Sequence, residues 1–309
     1  MKKPFRRAFI EITNKCNLSC GFCVPAQRLR GAASAGIMSV AAFEAAAAQA
    51  GPLAKMVSLH VLGEPFMHPQ LPEILAVCSR LGLTVNLVTN GTLLDKFGPA
   101  VFGESCLSQV SVSLHALADL PEGPRLEMLG KFARFAAGKP ARLIVGFRLR
   151  GNSGDPFVQK TRAYLLNVFS AGRSVSDRIE GGGIKLRDGV FLNSGELFRW
   201  PPPRPFDSVA PVIDKAEAGQ PRLLGQKGGT SQVGRGKRQG CLGLRHHFAI
   251  LCSGAVVPCC ADYGGNLSLG NINSAPLAEI LTGPEASALR DSIAAKTPMP
   301  AYCSTCGFM

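Results

Sequence analysis

The sequence predicts an α/β protein: an open, partial (β/α)6 barrel, TIM-like but short of closure, followed by a small C-terminal α+β domain. Three observations predict it. Strand-like and helix-like segments alternate from residue 6 to about residue 192, the pattern of βα units repeated around a parallel sheet. A Pro- and Gly-rich basic stretch over 193–240 then breaks the alternation. Beyond it cysteines recur around two apolar runs separated by Ser253-Gly254, which read as a β-hairpin.

Six strands are expected near 6–13, 57–62, 84–89, 109–114, 141–149 and 183–192, each short and apolar or β-branched as buried parallel strands are. The helices between them have readable ends. Ser39 can cap a run closed by Gly51-Pro52, and Pro156 suits the first turn of a run ending near Gly172. In the second helix Leu71, Ile74, Leu75, Cys78 and Leu81 share one face, so Cys78 belongs to the core, and Cys106 ahead of the fourth strand reads as a buried small residue. Right-handed crossovers then place the active site at the carboxyl ends of the strands. The expected organisation is a barrel over 1–192, a basic linker or a substrate-covering lid over 193–240, and a C-terminal domain over 241–309.

Composition narrows the chemistry. Of 309 residues 46% are hydrophobic, enough for a large core, yet no uninterrupted apolar stretch reaches membrane-spanning or signal length. A cytoplasmic protein is expected, with no membrane partner. Eleven cysteines in such a chain argue for reduced thiols and metal ligation. The formal charge of +13 would draw in an acidic or phosphorylated substrate. Aromatic residues are only 7% and are not interleaved with the basic ones, which argues against nucleic acid as the partner.

Cys16, Cys20 and Cys23 form a CxxxCxxC triplet directly after the first strand and offer three thiolates with no fourth ligand nearby. Three cysteines can hold a cubane [4Fe–4S] cluster while leaving one iron free to bind something else; a zinc knuckle or a partial disulfide framework is the alternative. With Gly63-Glu64-Pro65 after the second strand, the triplet and its Phe22 resemble the cluster loop and the GGE-type segment of radical S-adenosylmethionine (SAM) enzymes. The resemblance implies that the free iron chelates SAM, that one electron cleaves it to methionine and a 5′-deoxyadenosyl radical, and that the radical abstracts a substrate hydrogen. It also implies a flavodoxin- or ferredoxin-type electron donor. Glu64, with backbone acceptors at Gly63 and Pro65, would then face the SAM ammonium, Phe22 the adenine, and Ser113 a ribose hydroxyl, with Asn90 one strand over. For Asn90 and Ser113 ordinary turn capping is the competing reading. Arg125 and Arg148 are rival partners for the SAM carboxylate by charge alone. His115 reads either as a proton relay or as a locally hydrogen-bonded histidine.

After 240 come Cys241, Cys252, Cys259, Cys260, Cys303 and Cys306. Cys303 and Cys306 form a CxxC pair, Cys241 stands isolated, and the fourth ligand of a closed site is Cys259 or Cys260. The segment with Pro258-Cys259, Asp262 and Leu269-Gly270-Asn271-Ile272 resembles the auxiliary-cluster module called SPASM in its full form and twitch in its short form. That resemblance implies one auxiliary [4Fe–4S] cluster on Cys241, Cys259, Cys303 and Cys306, spaced by 17, 43 and 2 residues, serving electron transfer. Structural zinc on the same thiolates is the alternative. The substrate is expected to be a small molecule or a peptide. Similarity to twitch-bearing aminocyclitol dehydrogenases suggests a net oxidation, and the early position of the triplet, which leaves no room for an N-terminal peptide-binding domain, tilts towards small molecules or towards a separately encoded peptide-recognition partner. A peptide-modifying maturase and a non-catalytic iron–sulfur or zinc protein are the competing readings.

Overall fold

The computed structural model describes residues 3–24, 36–169, 178–179, 183–198, 200–201, 240–295, 300–304 and 306–307. Most of the expected linker or lid therefore lies outside the described residues. Five of the expected strands are present: β1 (Phe5–Ile10), β2 (Ala54–Ser58), β3 (Val85–Thr89), β4 (Leu107–Ser113) and β5 (Ile144–Arg150). They pair in sequence order, all parallel. The helices that cross between them bear out the sequence signals. In α1 (Val40–Ala50) the Ser39 hydroxyl accepts the Ala42 N–H at 3.2 Å, and Gly51 ends the helix. In α2 (Leu71–Arg80) Leu71, Ile74, Leu75 and Cys78 are buried, with Glu73 and Arg80 placed favourably for the helix dipole. Next come α3 (Glu122–Ala137) and α4 (Pro156–Phe169), the latter starting at the expected proline.

The sixth expected strand, 183–192, is corrected: it is a hairpin, with β7 (Gly183–Arg187) antiparallel to β8 (Val190–Gly195). Asp188-Gly189 makes the turn, and Gly189 takes the left-handed conformation (φ +66°) that an Asp-Gly step between apolar runs commonly supplies. β8 is the sixth parallel strand, beside β5, and a two-residue β6 (Arg178–Ile179) pairs with β7 at the far edge.

The C-terminal segment continues the same sheet. β9 (His247–Ile250) lies parallel to β1, in register from Arg7↔His247 to Ile10↔Ile250. β10 (Ala255–Val257) returns as the expected hairpin and pairs with β11 (Gly270–Asn271). The order β11-β10-β9-β1-β2-β3-β4-β5-β8-β7-β6 is an eleven-stranded sheet whose ends do not pair. Short helices α5 (Leu277–Thr282), α6 (Pro284–Ala295) and α7 (Ala301–Ser304) complete the segment. Gln49 of α1 accepts the Leu277 N–H at 2.8 Å and so docks α5 on the barrel's helical layer.

Strand alternation separates two apolar regions. Ala8, Ile10, Val57, Leu87, Val110, Val112, Val145 and Phe147 face the helices and form the main core. Phe9 faces the other way and joins Leu62, Ala249, Leu251, Val257 and Tyr263, with Cys23 and Cys260 packed against them. Between these faces stands Glu11, 2% exposed, at the end of β1. Its carboxylate accepts the N–H groups of Leu62 (3.0 Å) and Cys252 (3.2 Å), so one side chain fastens the end of β2 and the β9–β10 turn to β1. Burial pushes its pKa up, and these two hydrogen bonds oppose the shift.

Glu11→Leu leaves both donors buried and unpaired. Each orphaned N–H is expected to cost about 1–3 kcal/mol. The urea midpoint of the metal-free protein should therefore fall clearly below that of the unsubstituted protein; an unchanged midpoint would show that the carboxylate does not fasten the segments.

Candidate active site

The loop that follows β1 is fixed before its first cysteine. The Thr13 hydroxyl donates to the Gly36 carbonyl at 2.9 Å and accepts the Lys15 N–H at 3.1 Å, while the Asn14 side chain accepts the Gly36 N–H at 2.7 Å. Lys15 then meets the end of β2, its carbonyl accepting the Glu64 N–H at 2.8 Å. The contact needs a glycine. Gly63 has φ +72°, and a Cβ there would lie 2.5 Å from the Thr13 carbonyl oxygen and 2.8 Å from that of Lys15.

Glu64 is 1% exposed and its carboxylate is fully engaged within the protein. One oxygen accepts the Phe66 N–H (3.1 Å) and the Thr89 hydroxyl (2.7 Å); the other accepts the Asn90 N–H (2.6 Å). The carboxylate is thus a strut between the ends of β2 and β3. Burial raises its pKa while the three donors hold it down. The Pro65 carbonyl accepts the His68 N–H at 3.0 Å, leaving the Gly63 carbonyl as the acceptor with no backbone donor among the described residues.

Asn90 links this strut to the cysteines. Its side-chain amide donates to Asn17 at 3.0 Å and approaches the Cys16 sulfur at 3.9 Å. Its carbonyl oxygen accepts the N–H and hydroxyl of Thr92, and Asn17 in turn donates to that hydroxyl at 2.8 Å. Turn capping and loop anchoring thus coexist in one residue. Neither Asn17, Thr92 nor the Thr13-Asn14 pair was singled out in the sequence; small polar residues directly after an apolar run were the available signal.

Cys16, Cys20 and Cys23 are free thiols, as are all eleven cysteines. Burial and the neighbouring loop sulfurs push Cys20 up to about 11, and burial raises Cys16 and Cys23. Ligation would have to remove those protons. Phe22 packs edge-on against His115, with ring centroids 4.8 Å apart, and the Gly21 N–H donates to Asp119 at 3.3 Å, so the loop leans on the end of β4. His115 makes a local bond, its Nδ1 3.2 Å from the Arg148 carbonyl oxygen, and burial reinforced by Arg148 and Arg150 lowers it to about 4. His68 is likewise built in, between the Met38 carbonyl and the Gln70 N–H. Ser113 ends β4 with no side-chain capping bond and pairs in register with Arg148 on β5. Arg125 lies elsewhere, over the Phe157 ring at 5.5 Å in the helical layer. Of the two rival arginines only Arg148 stands on the strand face shared with the cysteine loop. A cleft of about 530 Å³ opens at the carboxyl ends of β5 and β8, between Asn152, Arg162 and Glu196.

The second cysteine set surrounds the β9–β10 hairpin. The Gly243 N–H donates to the Cys241 sulfur at 3.4 Å, and a Cβ at Gly243 would come 3.4 Å from that sulfur and 3.6 Å from Cys259 Cβ. Burial pushes Cys303 up to about 12, and Cys241, Cys306 and Asp262 add to the shift, which places Cys303 in the field of both sulfurs. Asp262, fully buried, accepts the N–H groups of Asn266 (2.8 Å) and Leu267 (2.7 Å) and shapes the turn after Cys259 and Cys260. Tyr302 closes the region, its hydroxyl donating to the Ala261 carbonyl at 2.9 Å. Cys260 packs on the inner apolar cluster, in the field of Arg7 and Arg148. Among the described residues no three His, Cys, Asp or Glu side chains converge as a group for a single metal ion. A cubane presents a separate iron to each thiolate, so its ligands surround a volume, and the two sets of free thiols suit such a donor set.

Three cysteines at the mouth of a partial barrel and a second set on the same sheet define an iron–sulfur enzyme. Residues 10–136 match the model of the Radical SAM superfamily, and residues 241–307 match SPASM, an iron–sulfur cluster-binding domain. The chain thus carries a radical SAM domain followed by a C-terminal SPASM domain, and these domains imply [4Fe–4S] clusters and SAM as cofactors. Along 99% of its length it is 26% identical to the PqqA peptide cyclase of Gluconobacter oxydans (strain 621H), 84% of which is covered. Its fold is similar to Streptococcus suis SuiB bound to precursor peptide SuiA (TM-score 0.58, 15% identity, 99% of this chain and 70% of that one). It is also similar to anSMEcpe with bound AdoMet and the Cp18Cys peptide (TM-score 0.57, 14% identity, 98% and 86%). Among the described residues no helix is long and apolar enough to cross a membrane.

Gly63→Ala and Gly82→Ala test the close approach. Both glycines are left-handed, but a Cβ at Gly82 meets nothing within 4 Å. Gly82→Ala should cost only the backbone term, roughly 1–2 kcal/mol. Gly63→Ala should cost more and also lower the iron bound per chain after reconstitution; equal effects of the two substitutions would contradict the account.

Proposed function

We propose that this chain is a peptide-modifying radical SAM enzyme that abstracts a hydrogen atom from a peptide and completes a net oxidation. The observation that carries the reading is the loop of Cys16, Cys20 and Cys23, three free thiols with no fourth partner, held at the carboxyl edge of the sheet by Gly63, Glu64 and Asn90. Similarity to a peptide cyclase over nearly the whole chain supports a peptide over a small molecule.

In this reading Cys16, Cys20 and Cys23 hold the first cluster, which with SAM supplies the 5′-deoxyadenosyl radical when bound. The chain's own residues position and shield. The Gly63 carbonyl receives the SAM ammonium, while Glu64 acts through Thr89 and Asn90 as a positioning residue. Arg148 and Ser113, paired across β4 and β5, take the carboxylate and a ribose hydroxyl. Phe22, backed by neutral His115, offers adenine an apolar edge and no proton. Cys241, Cys259, Cys303 and Cys306 would hold one auxiliary cluster, which would supply an electron acceptor, with Cys260 as the neighbouring spare thiol. A flavodoxin- or ferredoxin-type protein is the expected donor.

Anaerobically reconstituted, reduced protein should release 5′-deoxyadenosine from SAM, and Cys16→Ala should abolish the release; release by Cys16→Ala at the unsubstituted rate would overturn the reading. Iron counting tests the ligand sets separately. About eight irons per chain are expected, falling to about four in Cys303→Ala. About four in the unsubstituted protein would refute the auxiliary cluster.

A further inference from the structure

The inner face of the sheet is polar and unevenly charged. Arg7 on β1, Arg148 and Arg150 on β5 all alternate with core-facing residues and so point to the side opposite the helices. None of them makes an ion pair; the four ion pairs among the described residues are Arg80–Glu44, Lys131–Glu127, Lys160–Glu122 and Lys185–Asp188, all on the outside. Arg7 reaches only the Met56 sulfur at 3.5 Å and lies 5.7 Å from the Phe9 ring centroid. Arg150 donates to the Asn193 carbonyl at 2.7 Å, and Arg148 has no side-chain partner among the described residues. Burial, then Arg150 and Arg7, lower Arg148 to about 10, so the guanidinium groups feel one another.

The carboxylates nearby cannot answer them. Glu11, Glu64 and Asp262 are committed to backbone N–H donors. In the proposed reading the SAM carboxylate takes Arg148, and the ammonium and sulfonium of SAM leave Arg7 and Arg150 unanswered. Two more groups lack hydrogen-bond partners among the described residues: the Ser58 hydroxyl, wholly buried on β2, and Nδ1 of His60, two residues past its end. His60 is lowered to about 3 by burial with Arg148 and Arg7, so it contributes no further cation but can hydrogen-bond.

We propose that this inner face binds an oxyanion carried by the substrate, a carboxylate or a phosphate, with Arg7 as its principal partner and Arg150 adding to the field, beside the Arg148 that takes SAM. The proposal rests on the reading of the chain as a radical SAM enzyme acting on a peptide, and it adds that the peptide presents an acidic side chain to the barrel interior. Guanidinium groups left without an internal partner are strong receptors for such groups.

The test is binding to the reconstituted, SAM-loaded protein by calorimetry, with three probes: N-acetylglutamate amide, N-acetylphosphoserine amide and N-acetylglutamine amide. At least one anionic probe should bind roughly tenfold more tightly than the neutral one, and Arg7→Met should abolish the difference. Arg6→Met, which removes an exposed arginine from the opposite face, should preserve it. Tight binding of the glutamate probe alone assigns a carboxylate, and of the phosphoserine probe alone a phosphate. Equal binding of all three probes, or preference that survives Arg7→Met, overturns the proposal. If Arg7→Met fails to fold, Arg7→Lys, which keeps the charge and loses the planar fork, should show a reduced preference, and an undiminished one counts against it. The proposals fail separately: indifferent probes with 5′-deoxyadenosine still formed refute the anion site alone, while absent SAM cleavage refutes the reading beneath it.

Discussion

The contact of the Thr13–Lys15 backbone with Gly63 is the constraint from which the rest of the mouth follows. A parallel sheet delivers β1, β2 and β3 to one edge, but it does not by itself bring their loops together. The missing side chain at Gly63 lets the first loop touch the second, and the Lys15–Glu64 hydrogen bond holds it there. Glu64 then extends the connection to Thr89 and Asn90, and Asn90 extends it to Asn17 and Cys16. Three strand ends become one rigid rim. A loop of three thiols placed on that rim is held by these hydrogen bonds and by the packing of Phe22 and Cys23.

A similar economy joins the C-terminal segment to the barrel. Because β9 pairs with β1, the second cysteine set is built on the strand that leads into the first. Glu11 marks the seam, and Gln49 fastens the helical layer a second time. In the proposed reading, electron transfer between two clusters would need a fixed separation, which a shared sheet would supply. The interior that lies between them is where arginines outnumber free carboxylates, so the same architecture that fixes the clusters also defines a charged chamber.

Much of this was legible in the sequence because it depends on local chemistry. The βα alternation, the Ser39 cap, the Cys78 and Cys106 burial and the Ser253-Gly254 hairpin all follow from residue type and period. Misread features depended on partners far away in the chain. The hairpin over 183–192 is the exception, because its turn signal, Asp188-Gly189, is local and lies between apolar residues that read as one strand. Glu64 was legible as a site residue, but its part as a strut depends on three donors, contributed by Phe66, Thr89 and Asn90, that only the fold brings together. Arg7 drew no attention within a basic N-terminus, since only pairing with β2 and β9 shows that it turns inward while Arg6 turns out.

The central claim is that the loop thiols leave one iron of the first cluster open to SAM. Electron paramagnetic resonance of the reduced protein with and without SAM tests it most directly, using Cys303→Ala so that the auxiliary signal does not overlap. The account predicts a signal whose g-values shift when SAM is added. A cluster signal identical in the presence and absence of SAM would contradict it.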